Sequence, residues 1–350
     1  MSQANKPKEK QSIGMLLLKG RTFIALFVLV IIFSILSPTF LLPSTLLMIA
    51  KHVALYGILA IGMTYVIISG GIDLSVGSIV ALVGMIAGGM IVEGVTIEAL
   101  GICIFPQVWS IVVICLLLGA LIGWMNGLFI TRFNVAPFIT TLGTMYIASG
   151  LASLRSKGST FSGLKGNPDL GNTGFEIFGG STFSIPNAAL ILLVFAVVAA
   201  FVLKRTPFGW HVYSTGGNEK AARLSGVKVA KVKMRTYIIS GVCAAVVGLI
   251  TASQLQAANP NNGSGWEMNA IAAVVLGGTS MSGGIGSIGG TIVGAFVIGV
   301  LNDGMVMCGV SEYWQKIIKG AVIIFAVIID QVQARMQAKL ALERRDQTKG

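Results

Sequence analysis

Charge is scarce in this 350-residue chain: only 11% of it is Asp, Glu, Lys or Arg, where an ordinary soluble domain carries roughly a quarter. With 54% hydrophobic residues and a mean hydropathy of +0.84, a soluble α/β domain is the poorer reading and a membrane protein the better one. Histidine and cysteine are also sparse. Cys103, Cys115, Cys243 and Cys308 show no CxxC spacing, and His52 and His211 lie in unrelated segments, so neither a metal site nor a disulfide framework is expected. The dipeptide Gly-Lys never occurs, which excludes a P-loop and ATP hydrolysis by that route. HExxH, a nucleophile elbow and paired carboxylates in one segment are missing too. Nothing here points to an enzyme or to a cofactor.

Glycine, by contrast, is abundant, at 45 residues, as expected where helices in lipid associate through small residues that let backbones approach. Gly119, Gly123 and Gly127 recur every fourth residue, as do Ser282, Gly286, Gly290 and Gly294. Both series are expected to form smooth helix faces for close packing. A literal GxGxxG at Gly284, Gly286 and Gly289, with Asp303 downstream, belongs to the second series; no βαβ pattern surrounds it.

The net charge of +12 comes from Lys and Arg in short segments flanking apolar runs. No basic face interleaved with aromatics is present, so nucleic acid is not the expected partner. Apolar runs long enough to cross a ~30 Å hydrocarbon core lie near 23–42, 49–69, 74–92, 109–130, 137–154, 187–204, 236–256, 270–288, 289–303 and 316–333. The expected fold is therefore all-α and polytopic, with about ten transmembrane helices. The first run lacks a cleavage site and reads as an uncleaved span.

With ten spans, the basic segments before span one, at Arg132, across Lys204 to Arg235 and after Arg335 fall on one side, which the positive-inside rule makes cytoplasmic. The expected organisation is a cytoplasmic N-terminal segment (1–22), a transmembrane domain (23–333) with a cytoplasmic connection at 204–235, and a cytoplasmic tail (334–350). The connections Glu93 to Gln107, Ser156 to Pro186 and Ala257 to Glu267 fall outside. Five spans per half give an inverted repeat of two five-helix halves. Such halves would pair the stretch from Gly70 with the connection near 257–268, and the glycine-rich pair at 270–303 is a candidate for a broken or re-entrant element.

Two stretches are the candidate functional sites. "GGIDLSVGS" (Gly70 to Ser78) holds Asp73, a lone acid between Lys51 and Glu93. A charge in the bilayer costs at least ~2.5 kcal/mol. Asp73 is therefore expected to be held by Ser75, Ser78 and backbone N–H groups, capping a helix that starts near Leu74, and to line a translocation path. The connection "KRTPFGWHVYSTGGNEKAARLSGVKVAKVKMR" carries a short exposed helix over Asn218 to Ser225, with Asn218 as cap, Glu219 in the first turn, Ala221 and Ala222 as a small face, and Gly226 as its stop.

"GGIDLSVGS", "NEKAARLSG", "GGTSMSGGIGSIGGTIVGA" and "VSEYWQKIIKGAVIIFAVIID" together resemble the permease subunits of ribose-type sugar ABC importers, over nearly the whole chain. The resemblance implies a bacterial inner-membrane permease, present as a homodimer, with a sugar-binding protein docking outside and a separate ATPase inside. It also assigns Ala221, Ala222 and Gly226 to an E-x-A-A-x3-G variant of the coupling-loop pattern. The alternatives are an ion-coupled secondary transporter and a branched-chain amino acid ABC permease.

Overall fold

The computed structural model describes residues 13–98 and 101–347, and the first twelve residues of the expected N-terminal segment and the last three of the tail lie outside them. The described chain is 73% helix. In order it forms α1 (Ile13–Leu36), α2 (Pro43–Ile68), α3 (Val76–Val92), the hairpin β1 (Val95–Ile97) and β2 (Ile102–Ile104), α4 (Val108–Arg132) and α5 (Pro137–Ser156). Then come β3 (Phe161–Ser162), the hairpin β4 (Ser181–Thr182) and β5 (Ile185–Pro186), and α6 (Asn187–Arg205). The chain ends with α7 (Pro207–Gly217), α8 (Glu219–Leu224), α9 (Val229–Leu255), β6 (Ala257–Ala258), α10 (Trp266–Leu276), α11 (Ile288–Met307) and α12 (Glu312–Gln347). β3 and β6 pair antiparallel. The protein is an all-α polytopic membrane protein.

Five helices, α2, α4, α6, α9 and α11, are each long and apolar enough to cross a membrane, and three shorter apolar stretches accompany them. Local sequence sets their starts. Pro43, Pro137 and Pro207 open α2, α5 and α7, where a missing N–H costs nothing and φ is already helical. The Ser287 hydroxyl accepts from Gly290 N at 3.1 Å to cap α11.

α9 is the central post, packed against α2, α3 and α4. Its contact with α4 depends on the first glycine series. A Cβ on Gly119 would strike the Gly241 carbonyl, one on Gly123 the Tyr237 carbonyl, and one on Gly127 the Met234 backbone. Gly290 and Gly294 bring α11 equally close to Gly277 and Ala273 of the α10 region. Gly286 is a correction: it lies before α11, not on it, because Gly283 and Gly284 take positive φ and break the run.

A second correction concerns the expected span 270–288. α10 has 11 residues, about 16 Å at 1.5 Å each, half a membrane crossing. It begins at mid-depth because the preceding chain, after pairing with β3, turns back into the bundle. Two faces result. One carries α7, α8, Ile68 and the loop before α11, where Gly284 N–H bonds Ile68 O at 2.9 Å and Gly216 of α7 lies against both. The other carries the two hairpins. Thr22, in the first half of α1, donates to the Leu276 carbonyl at the end of α10, so the start of α1 lies toward the α8 face, where α12 also ends.

Candidate functional site

The Gly70–Ser75 segment is the first of two breaks in the helical core. Asp73, fully buried, does not cap α3. That helix starts at Val76, and Ser75 occupies the cap position without a side-chain cap bond. Asp73 instead closes a turn on its own chain: its Oδ1 accepts from Ser75 N–H at 3.0 Å and from the Ser75 hydroxyl at 2.6 Å. Its Oδ2 accepts from the Ser240 hydroxyl of α9 at 2.7 Å. The network continues outward, with Asn126 of α4 donating to Ser75 Oγ at 3.0 Å and Thr144 of α5 donating to Asn126 Oδ1 at 2.6 Å. One carboxylate thus ties the entry of α3 to α4, α5 and α9. Ser78 has no part in this network and lines a separate cavity.

The second break is Asn259–Gly265. Ala258 sits beside Gly88, near the end of α3, yet Gly263 touches Gly77, in its first turn. The chain has therefore descended along α3 by about 16 Å. α3 and α9 run parallel, with Gly248 against Val80, and the apolar part of α9 begins after Arg235. The Gly77–Gly263 contact is therefore roughly 15 Å into the membrane, near its midplane. Positive φ at Gly263 and Gly265 makes the re-entrant turn, a conformation that side chains resist. Asn259 steadies it by accepting from Asn261 N–H at 2.8 Å and donating to Thr160 Oγ1 at 2.8 Å. The resulting cavity, about 130 Å³, is lined by Ser78, Ser149, Asn261, Asn262, Ser264 and Glu267, among others.

On the α8 face the expected short helix forms. Asn218 Oδ1 accepts from Ala221 N–H at 3.0 Å, and Gly226, at φ +86°, ends the turn. Glu219 accepts from Lys233 of α9 at 2.7 Å and from Arg223 at 3.1 Å. Lys233, bonded to it, holds the Glu219 carboxyl below its usual range. The two alanines part company. Ala222 is 5% exposed and faces its own chain, so it does not belong to a free small face. Ala221 points outward with Leu224, which is 90% exposed. Because a helix turns 100° per residue, Leu224 shares a face with Ala221, three residues earlier, and not with Ala222.

Sequence reasoning missed Ser240, which bonds Asp73 from α9, Asn126 and Thr144, which extend the network through Ser75, and the Asn261–Asn262 pair. The signal for the latter was there: "NPNNGSG" is a turn-forming composition too polar and broken for a span.

A helical bundle whose core is interrupted at Gly70–Ser75 and again at Asn259–Gly265, with a helix exposed on one face and no nucleotide-binding loop in the sequence, defines a membrane permease. The chain belongs to the family described as branched-chain amino acid transport system / permease component, whose model matches residues 45–327. It is 45% identical to the ribose import permease protein RbsC of Bacillus subtilis (strain 168), over 88% of this chain and 91% of that one. It is 40% identical to RbsC of Escherichia coli (strain K12), over 90% and 94%. The galactose/methyl galactoside import permease protein MglC of Salmonella typhimurium is 37% identical, over 93% and 97%. No solved structure matches the chain.

Proposed function

We propose that this chain is the membrane permease of an ABC importer for a monosaccharide of the ribose or galactose type, fed by a binding protein and driven by a separate ATPase. The observation that carries this reading is α8: an exposed leucine on a short, capped helix, presented by a chain that has no P-loop of its own. Relatives named for ribose and galactose import match over nearly their whole length, which favours a sugar over the amino acids in the family description. An ion-coupled transporter needs several ionisable groups along a path. Among the described residues, Asp73 is fully engaged in hydrogen bonds and Asp303 pairs through Oδ1 with His52 at 2.8 Å beside the hairpin face, which leaves Glu267 as a single buried acid and not a relay.

The basic residues around α8 make that face cytoplasmic, with both termini on it and the hairpin face outside, in a bacterial inner membrane. The division at 1–22, 23–333 and 334–350, with 204–235 as the coupling connection, follows from this orientation. The ATPase docks on Ala221 and Leu224, the binding protein docks on the hairpin face, and two permease copies form the complex.

Burying Leu224 in a partner groove contributes about 1.5–3 kcal/mol, so Leu224→Glu is expected to weaken ATPase association by at least tenfold. Membrane abundance and capture of the loaded binding protein should stay at parent level. Ribose and galactose uptake at parent rates by both Leu224→Glu and Ala221→Leu would remove α8 as the docking element.

A further inference from the structure

The polar cavity at the second break is lined by groups that the rest of the fold does not need. Glu267 is 9% exposed, yet among the described residues its carboxylate has no cation within salt-bridge distance, and its donors are the backbone N–H groups of Gly265 and of Glu267 itself. The side-chain amides of Asn261 and Asn262 likewise make no hydrogen bond among the described residues, although the neighbouring Asn259 is engaged at both ends. Irregular backbone at membrane depth persists only where it is buried in protein or lines a water-filled space. Gly77 is part of the same design, because a Cβ there would collide with both the Gly263 carbonyl and the Glu267 carboxylate. The opposite wall comes from α5, whose Ser149 and Tyr146 border the cavity.

We propose that this cavity is a station for a polyhydroxylated solute on the translocation path, with Glu267, Asn261 and Asn262 exchanging hydrogen bonds with its hydroxyls. It rests on the sugar-permease reading above. The donor and acceptor set fits a sugar. A carboxylate accepts from two adjacent O–H groups, and each amide offers both a donor and an acceptor. Tyr146, 70% exposed, sets an aromatic face beside the mouth. Water fills the station between passages, at 2–4 hydrogen bonds per molecule. A bare cation is the less suitable occupant, because one carboxylate is the only charge on the lining.

The test uses proteoliposomes holding the permease and its ATPase, with ATP inside and the binding protein outside. Asn261→Cys is placed in a chain whose four native cysteines are replaced by serine, and a charged methanethiosulfonate reagent is added outside. Modification is expected during turnover, slowed at least threefold by millimolar ribose or galactose and unaffected by leucine. Glu267→Gln in the same chain should raise the sugar concentration for half-protection about tenfold. Sugar-independent labelling, no labelling at all, or protection by sodium in place of sugar would overturn the station if the complex still imports sugar. If the parent complex neither imports either sugar nor hydrolyses ATP in response to it, the sugar reading itself fails and the station fails with it.

Discussion

Replacing Asp73 separates its hydrogen bonding from its size. In Asp73→Asn, Oδ1 still accepts from both Ser75 donors, and Nδ2 meets the Ser240 hydroxyl oxygen, which can accept. Ser240 then turns its proton to the carbonyl one turn back, a bond that serines in helices make readily. The expected loss is about 1 kcal/mol or less. Asp73→Leu strands three buried donors. Ser240, on a helix, can turn its proton to the carbonyl one turn back, but Ser75 N–H loses its partner, and an orphaned buried group costs about 1–3 kcal/mol. Forcing a branched apolar side chain against Ser240 and Ser75 adds roughly 1–3 kcal/mol. The sum, about 2–6 kcal/mol, should lower the apparent melting temperature in detergent by roughly 3–8 °C for a chain of 350 residues, read by fluorescence-detected size exclusion after heating. Because Ser75, Asn126 and Thr144 are joined to Asp73 in series, the leucine variant should also lose uptake, whereas the asparagine variant keeps both. A leucine variant that melts within 2 °C of the parent, an interval of about 1.5 kcal/mol for this chain length, would refute the claim that Asp73 secures the entry of α3.

Gly123→Ala should destabilise by about 1–3 kcal/mol, because its Cβ meets the backbone of Tyr237 and Ile238, which no rotamer change can relieve; Gly143→Ala, with open space around it, is the matched control in the same melting assay. In single-cysteine variants on intact cells, an impermeant thiol reagent should label exposed Cys103 and leave buried Cys115 and Cys243 untouched, and labelling of Cys103 only from the cytoplasmic side would reverse the orientation. Since Lys233 lowers the Glu219 pKa, the tie between α8 and α9 adds stability that is fully present above the usual carboxylate range and lost as pH falls through the folded-state value. Hydrogen exchange of the Glu219–Leu224 amides should therefore stay constant from pH 8 down to 5, once corrected for intrinsic rates, and accelerate only at lower pH, while Glu219→Gln shows the faster exchange throughout.

Composition and hydropathy were enough for the class of fold, because a lipid solvent leaves the backbone few choices besides helices. The α8 cap, its stop at Gly226 and the glycine face of α4 were equally legible, since each depends on residues close in sequence. What was not legible depends on depth. An apolar count over 270–288 cannot tell a span from a half-helix followed by a glycine-rich return, since hydropathy carries no vertical coordinate. Nor can it say which of two adjacent alanines points inward; that is fixed by where α8 lies against α9. Asp73 was legible as a residue needing partners, while the partners on α4 and α9 were not, because they come from segments far along the chain.

The two halves of the chain place their breaks at corresponding elements. Taking α1–α5 against α6, α9, α10, α11 and α12, the third span of each half, α3 or α10, follows an interrupted segment. The packing partners correspond as well: α3 with α4 answers α10 with α11, α3 with α9 answers α10 with α2, and α4 with α9 answers α11 with α2. Near the end of α4, Asn126 reaches the start of α3 through Ser75. Near the end of α11, Asn302 is buried beside Tyr56, whose ring packs edge-on against Trp266 at the start of α10. There the likeness stops. Asn126 is bonded at both ends, while among the described residues the Asn302 amide has the Tyr56 hydroxyl as its one near neighbour and no partner in good hydrogen-bond geometry. Each such buried group costs about 1–3 kcal/mol if it stays unpaired, so the second break is the less secured of the two. The same fold thus contains one saturated break and one with unmet hydrogen-bonding capacity. The bonded half keeps α3, α4 and α9 in place, and the half with open valences is where a passing solute can form and release contacts at little structural cost.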